Sequence, residues 1–181
     1  MTKPGPYPAT AVWSIPQAAL TATLAGVQCG GRRGVEAGAF WLGTRGATAE
    51  VAAVVLPRGP GVIEGAGIWQ VQTGVVGTIT TWAVNNALTL LGLVHGHGGS
   101  SVRMSPTDRA HLVRAPGLLS VIVGHGGFDE DPCGWGWYLY EDGRFRELAK
   151  QERMRRVKVA PGGTAYMILE ASINGVHPVA G

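Results

Sequence analysis

The chain has 181 residues, a formal net charge of +3, 45% hydrophobic residues and 15% charged residues. That balance describes a folded globule and excludes intrinsic disorder, and the length fits one domain with enough chain to bury a core. The weak positive charge gives no footing for nucleic-acid binding, and no apolar run approaches the ~20 residues of a membrane-spanning helix.

The N-terminal MTKPGPYPAT is proline-rich and has no apolar signal core, so a cytoplasmic location is the expectation. Residues 1–13 read as an N-terminal extension and 14–181 as a single domain. Ser14-Ile15-Pro16 is expected to open a helix with Leu20, Leu24 and Val27 on one face, ended by Gly30-Gly31. Phe40–Leu42 and Thr48–Leu56 read as strands about a turn at Gly46. Pro57–Gly67 is expected to be a long glycine-rich loop, either a surface segment or a substrate flap. A helix weakened near Gly74 and Gly77 is expected over Ile68–Leu90, with Val71, Val75, Thr78 and Trp82 sharing a face.

Leu91–His97 is apolar almost throughout, as a strand covered on both faces should be. Ser105 is expected to start a short helix to Arg114, stopped by Pro116-Gly117, and Leu118–Val123 reads as a second buried strand. Trp135–Tyr140 and Phe145–Leu148 read as a hairpin. Arg156–Val159 and Ala165–Glu170 read as closing strands on either side of Pro161-Gly162-Gly163. The basic stretch from Arg144 to Lys158 is expected to be solvated edge strands and turns rather than a docking face for an acidic partner. Cys29 and Cys133 form no Cys-x-x-Cys and read as free thiols. The sum is an α/β domain with a mixed sheet and helices on both sides.

The chemistry lies in HGHGGSSVRMSPTD, which reads His-x-His, seven residues, Ser, two residues, Asp. With five His in the chain, chance would produce this pattern about once in 10,000 such sequences. Residues two apart on a strand point to one side, so His95 and His97 can reach one ion together. Asp108, in the first turn of the next helix, supplies a third ligand and leaves a fourth position open for water. Two imidazoles and one carboxylate suit Zn²⁺ better than Mg²⁺ or Ca²⁺. Glu36 in VEAGAFWLG is the candidate general base, with Glu50 and Glu64 as rivals, and Ser105 can donate to an oxyanion. SPTD is also a capping box variant, a reading compatible with the site. His125 reads as a loop residue, and His111 as structural or exposed.

GVEAGAFWLG followed by LGLVHGHGGSSVRMSPTD resembles the JAMM (JAB/MPN) metalloprotease motif, Glu…His-x-His-x7-Ser-x2-Asp, and all five positions match. The resemblance extends to the order of elements from about Ser14 to Leu148. It implies the MPN (JAB) fold, a mixed twisted sheet flanked by helices. It also implies zinc on His95, His97 and Asp108, base work by Glu36 and oxyanion support by Ser105. Members usually carry Pro shortly after the second His, where this chain has Gly98.

The family cleaves after the C-terminal glycine of ubiquitin or ubiquitin-like proteins. A compact chain like this one is similar to the prokaryotic JAB proteins, which often accompany ubiquitin-like proteins with activating and conjugating enzymes, some in antiphage defence. The resemblance therefore implies a ubiquitin-like partner with a glycine tail, as free precursor or conjugate. The alternative is a peptidase acting on a sulfur-carrier protein in amino-acid or cofactor biosynthesis. The intact motif argues against a non-enzymatic scaffold.

Overall fold

The computed structural model describes Thr10, residues 12–161 and residues 167–179. The turn expected at Gly162-Gly163, the first residues of the strand expected from Ala165, and all but the end of the expected N-terminal extension lie outside them.

The elements are β1 (Val12–Pro16), α1 (Gln17–Gly31), β2 (Gly38–Thr44), β3 (Thr48–Pro57), β4 (Val62–Gly65), β5 (Ile68–Val71), α2 (Thr73–Asn85) and β6 (Thr89–Gly96). They continue as α3 (Pro106–His111), β7 (Leu119–Val123), β8 (Gly136–Glu141), β9 (Arg144–Glu147), α4 (Lys150–Arg156), β10 (Val157–Ala160), β11 (Met167–Ser172) and β12 (Gly175–Pro178). One mixed sheet runs β10-β1-β3-β2-β6-β7-β8-β9, with β11 pairing β3 and β12. β4 and β5 form a separate two-stranded hairpin.

Each face of the sheet carries its own apolar layer and its own helix. On one face Ala19 and Leu20 of α1 pack with Trp13, Trp41, Val54, Val94 and Val121. On the other, Val75, Ile79 and Ala83 of α2 pack with Phe40, Val55, Leu93 and Ile122. The alternation of side chains along β2, β3 and β6 feeds both layers, which is why these strands read as continuous apolar runs. Thr23, buried on α1, donates to the Ala19 carbonyl and accepts Trp41 Nε1–H at 2.9 Å, so no donor of that pair is left bare.

The sheet is strongly curled. Eight flat strands at ~4.8 Å spacing would hold the two end strands about 34 Å apart. β9 and β10, at opposite ends, are joined essentially through α4, which at ~1.5 Å per residue spans about 10 Å.

Several expected elements differ. Ser14-Ile15-Pro16 ends strand β1 rather than opening the helix, and Val12 and Trp13, expected in the extension, pair in the sheet. The expected helix 68–90 divides into β5, α2 and the start of β6, and the loop 57–67 contains β4. Alternation in Ile-Trp-Gln-Val served a hairpin that could pair only with β4, a neighbour that a helical-period reading hides. The fully buried face of α2 follows Val75, Ile79 and Ala83; Trp82 is half-buried against the same layer, and Thr78 is half-buried. The helix expected to reach Arg114 ends at His111. The basic stretch supplies both end strands, β9 and the start of β10, as expected, but the segment between them is helix α4 rather than a turn. Cys29 and Cys133 are free thiols.

Candidate metal centre

β6 is buried through Gly96, and its ladder continues one residue further, because His97 N–H donates to the Val123 carbonyl at 2.8 Å. His95 and His97 thus keep the two-residue repeat of a strand and face the same side. Their Nε2 atoms stand 3.2 Å apart.

Asp108 arrives from the first turn of α3. Ser105 caps that helix and Pro106 follows at its first position. Ser105 Oγ accepts Asp108 N–H at 3.0 Å, and Asp108 Oδ2 accepts Ser105 N–H at 2.7 Å. This capping box aims the carboxylate inward, with Oδ1 3.1 Å from His95 Nε2 and Oδ2 3.2 Å from His97 Nε2. The approach to α3 is pinned by the Tyr138 hydroxyl, which accepts Met104 N–H and donates to the Val102 carbonyl.

Glu36 reaches the same place from the turn before β2. Antiparallel register sets Gly38 opposite His95, and Gly96 N–H donates to the Ala37 carbonyl at 3.0 Å. A carboxylate oxygen of Glu36 and one nitrogen of each imidazole lie within 4.8 Å of one another, a group that could hold a metal ion. The rival acids lie elsewhere. Glu50 is exposed on β3 opposite Thr44, at the far end of β2, and Glu64 on β4 is bound by Arg33 and Arg58.

The electrostatics follow from burial and crowding. Burial raises the Glu36 carboxyl above its ordinary range, against the pull of His97 and His95 and with help from Asp108. Burial alone would lower His97, but its bond to Asp108 and the nearby Glu36 charge outweigh it, and the imidazole is raised. Burial alone would raise Asp108, yet the bonds from His95 and His97 and the Ser105 N–H hold it far below the usual carboxylate range. The pocket thus favours positive charge between its donors, which a bound cation supplies in place of imidazole protons.

The donor set fits such an ion. Ligand atoms on a tetrahedral zinc at about 2.0–2.1 Å stand about 3.3 Å apart, close to the 3.2 Å between the two Nε2 atoms and to the 3.1 and 3.2 Å that separate them from Oδ1 and Oδ2 of Asp108 respectively. With its proton on Nδ1, His97 donates to the Ser101 carbonyl at 3.0 Å and presents the Nε2 lone pair to the centre. His95 Nδ1 is buried without a hydrogen-bond partner, and its ring is instead held flat by Trp69, stacked at 5.8 Å and 14°. Gly38 permits that stack, since a Cβ there would stand 2.8 Å from the Trp69 ring. Two overlapping triplets therefore share the imidazoles, one completed by Asp108 and one by Glu36. Asp108 is closer, whereas Glu36 lines the adjoining cleft.

That cleft, about 360 Å³, runs between Gly34-Val35-Glu36 with the hairpin tip Ala66-Gly67 on one side and His97-Gly98-Gly99 with Ser101 and Ser105 on the other. His125 and His111 are exposed and outside the donor group. The sequence reading missed Trp69, the Ser101 carbonyl and the Gly65 carbonyl, which accepts Glu36 N–H at 2.9 Å. The carbonyls carry no residue signal. Trp69 was hidden by the wrong period.

No family model matches the chain, and no curated protein matches it. Among solved structures, the chain is similar to the solution structure of protein DSY2949 from Desulfitobacterium hafniense. The TM-score is 0.57 at 17% identity, covering 83% of this chain and 94% of that one. It is also similar, at a TM-score of 0.44 and 18% identity, to the crystal structure of AF2198, a JAB1/MPN domain protein from Archaeoglobus fulgidus; that match covers 82% of this chain and 98% of the other. The first likeness is one of fold. Among the described residues, no helix is long and apolar enough to cross a membrane.

Proposed function

We propose that this protein is a zinc-dependent peptidase of the JAMM type that cuts after the C-terminal glycine of a ubiquitin-like protein, in precursor processing or deconjugation. The observation that carries the reading is the meeting of Glu36, His95, His97, Ser105 and Asp108, from a turn, a strand end and a helix start, around one donor cluster at the wall of an open cleft.

In this reading His95, His97 and Asp108 hold the metal. When bound, zinc supplies Lewis acidity that makes a water nucleophilic near neutral pH and polarises a carbonyl. Glu36 takes the proton of the attacking water as the new C–O bond forms, then passes it to the departing amine as the C–N bond breaks. Burial keeps its carboxyl basic enough for the first step. Ser105 Oγ accepts from Asp108 N–H, so its own O–H remains to donate to the oxygen that gains charge. Glycines at 34, 67, 98 and 99 leave the cleft walls as bare backbone, suited to a substrate that presents main chain rather than bulk. Activating and conjugating enzymes, and an antiphage conjugation system, are the partners and setting this reading carries with it.

The test is incubation of the zinc-loaded protein with a ubiquitin-like protein extended beyond its Gly-Gly terminus, with products read by mass. The expected product ends at the second glycine, disappears on chelation and returns with zinc. A loaded protein that leaves the extended tail intact overturns the proposal.

A further inference from the structure

The β4–β5 hairpin touches the centre at three points. Gly65 at its turn accepts the Glu36 N–H at 2.9 Å, Trp69 of β5 stacks on His95, and Ala66 and Gly67 form one wall of the cleft. The hairpin belongs to no larger sheet, so its own ladder cannot fix where it lies. Its tether is Glu64, the residue before Gly65. Glu64 Oε2 accepts from Arg33 Nη2 at 2.6 Å and Oε1 from Arg58 Nη1 at 3.4 Å, and the Glu64 side chain is only 16% exposed. Both arginines are anchored to the frame. Arg33 Nε donates to the Cys29 carbonyl at the end of α1, and Arg58 N–H donates to Ala171 of β11.

We propose that Glu64 is a positioning residue: through Arg33 and Arg58 it seats the hairpin so that Gly65 fixes the Glu36 backbone and Trp69 fixes the His95 ring. Resting on the peptidase reading above, this gives Glu64 a part in the reaction without contact with substrate or metal. Beyond Glu64 the hairpin is held by its two chain ends, the Gly65 bond and the packing of Trp69, Val62 and Val71 on the core, with Trp69 against Phe40 as well as His95; Glu64 adds the charged tether nearest Gly65.

The experiment uses Glu64→Ala, Arg33→Ala and Arg33→Lys in the full chain. The first readout is hydrogen exchange at the Glu36 amide, which needs no activity. Exchange should accelerate about five- to tenfold in Glu64→Ala and Arg33→Ala and recover in Arg33→Lys. The second readout is turnover. kcat should fall about 10- to 100-fold in Glu64→Ala with zinc content unchanged. In a Glu36→Gln background the same change should cost clearly less, because one of the two groups being positioned is already gone. Unchanged Glu36 exchange overturns the proposal, as does an equal fall in kcat in both backgrounds. Lack of cleavage by the wild type would overturn the peptidase reading alone, and the exchange readout would still decide the role of Glu64.

Discussion

Arg146 of β9 clasps Glu152 of α4 with both terminal nitrogens, at 2.7 and 2.9 Å. Glu152 also accepts from Arg156 at 2.9 Å, and Arg156 lies 4.8 Å over the Trp13 ring and donates to the Thr10 carbonyl. This chain of contacts ties the β9 end of the curled sheet to β1 near the other end. The basic residues there serve closure, and Glu152 is the group on which that closure turns.

Stability should therefore depend on acid. Arg146 foremost, against the effect of burial, and Arg156 hold Glu152 down to about 2, below the ~4.3 of an unfolded chain. A depressed carboxyl contributes stability that is complete above the unfolded value and is lost as pH falls through the folded one. Glu152→Gln should lower the melting temperature by about 1–3 °C at pH 7, since partly exposed pairs are screened. The gap should close between about pH 4.5 and pH 2, and shrink in high salt. A gap that persists undiminished at pH 2 would assign the loss to packing rather than charge.

Metal content separates the two overlapping triplets. The wild type should bind about one equivalent of zinc. His95→Ala combined with His97→Ala should abolish binding. Asp108→Asn should weaken it by more than about 100-fold. Glu36→Gln should leave zinc in place and lower turnover by about 10²–10⁴. Loss of zinc in Glu36→Gln with retention in Asp108→Asn, by elemental analysis, would exchange the two roles.

Ser105 serves both the helix and the cleft. Ser105→Ala removes the cap of α3, which should cost about 0.5–2 kcal/mol. It also removes an oxyanion donor, which should lower kcat by about 10²–10³. Ser105→Thr keeps both groups and should restore most of each. Denaturant unfolding and steady-state kinetics on the pair check this. A rate that follows stability alone would reduce Ser105 to its capping role.

Gly98 follows His97 where the resembled family usually carries Pro shortly after, and Gly99 is next in the chain. Neither has positive φ, and a Cβ on either would meet nothing within 4 Å. Neither backbone conformation nor packing demands glycine at these positions. Gly98→Leu and Gly99→Leu should leave melting temperature and zinc content unchanged. Each should raise KM for a glycine-tailed substrate by about tenfold or more by filling the cleft. Unchanged kinetics in both would remove this wall from the substrate path.

The sequence alone determined the parts of this protein that are local. His95 and His97 share a side because a strand repeats every two residues. Ser105 and Asp108 meet because a helix start joins positions three apart. The buried strands 91–97 and 118–123 were legible because both faces are covered, so their apolar runs are unbroken. What only the tertiary structure decided was which distant groups come to them. β2 register carried Glu36, rather than Glu50 or Glu64, to the end of β6. A hairpin made from the end of an expected loop and the start of a segment of helical appearance brought Trp69 over His95 and the Gly65 carbonyl to Glu36. The middle of the basic stretch is helix α4, a short link between the two end strands of the curled sheet. Period and capping are written in neighbouring residues. Strand pairing across long separations depends on which partner completes each layer, and no local window contains that partner.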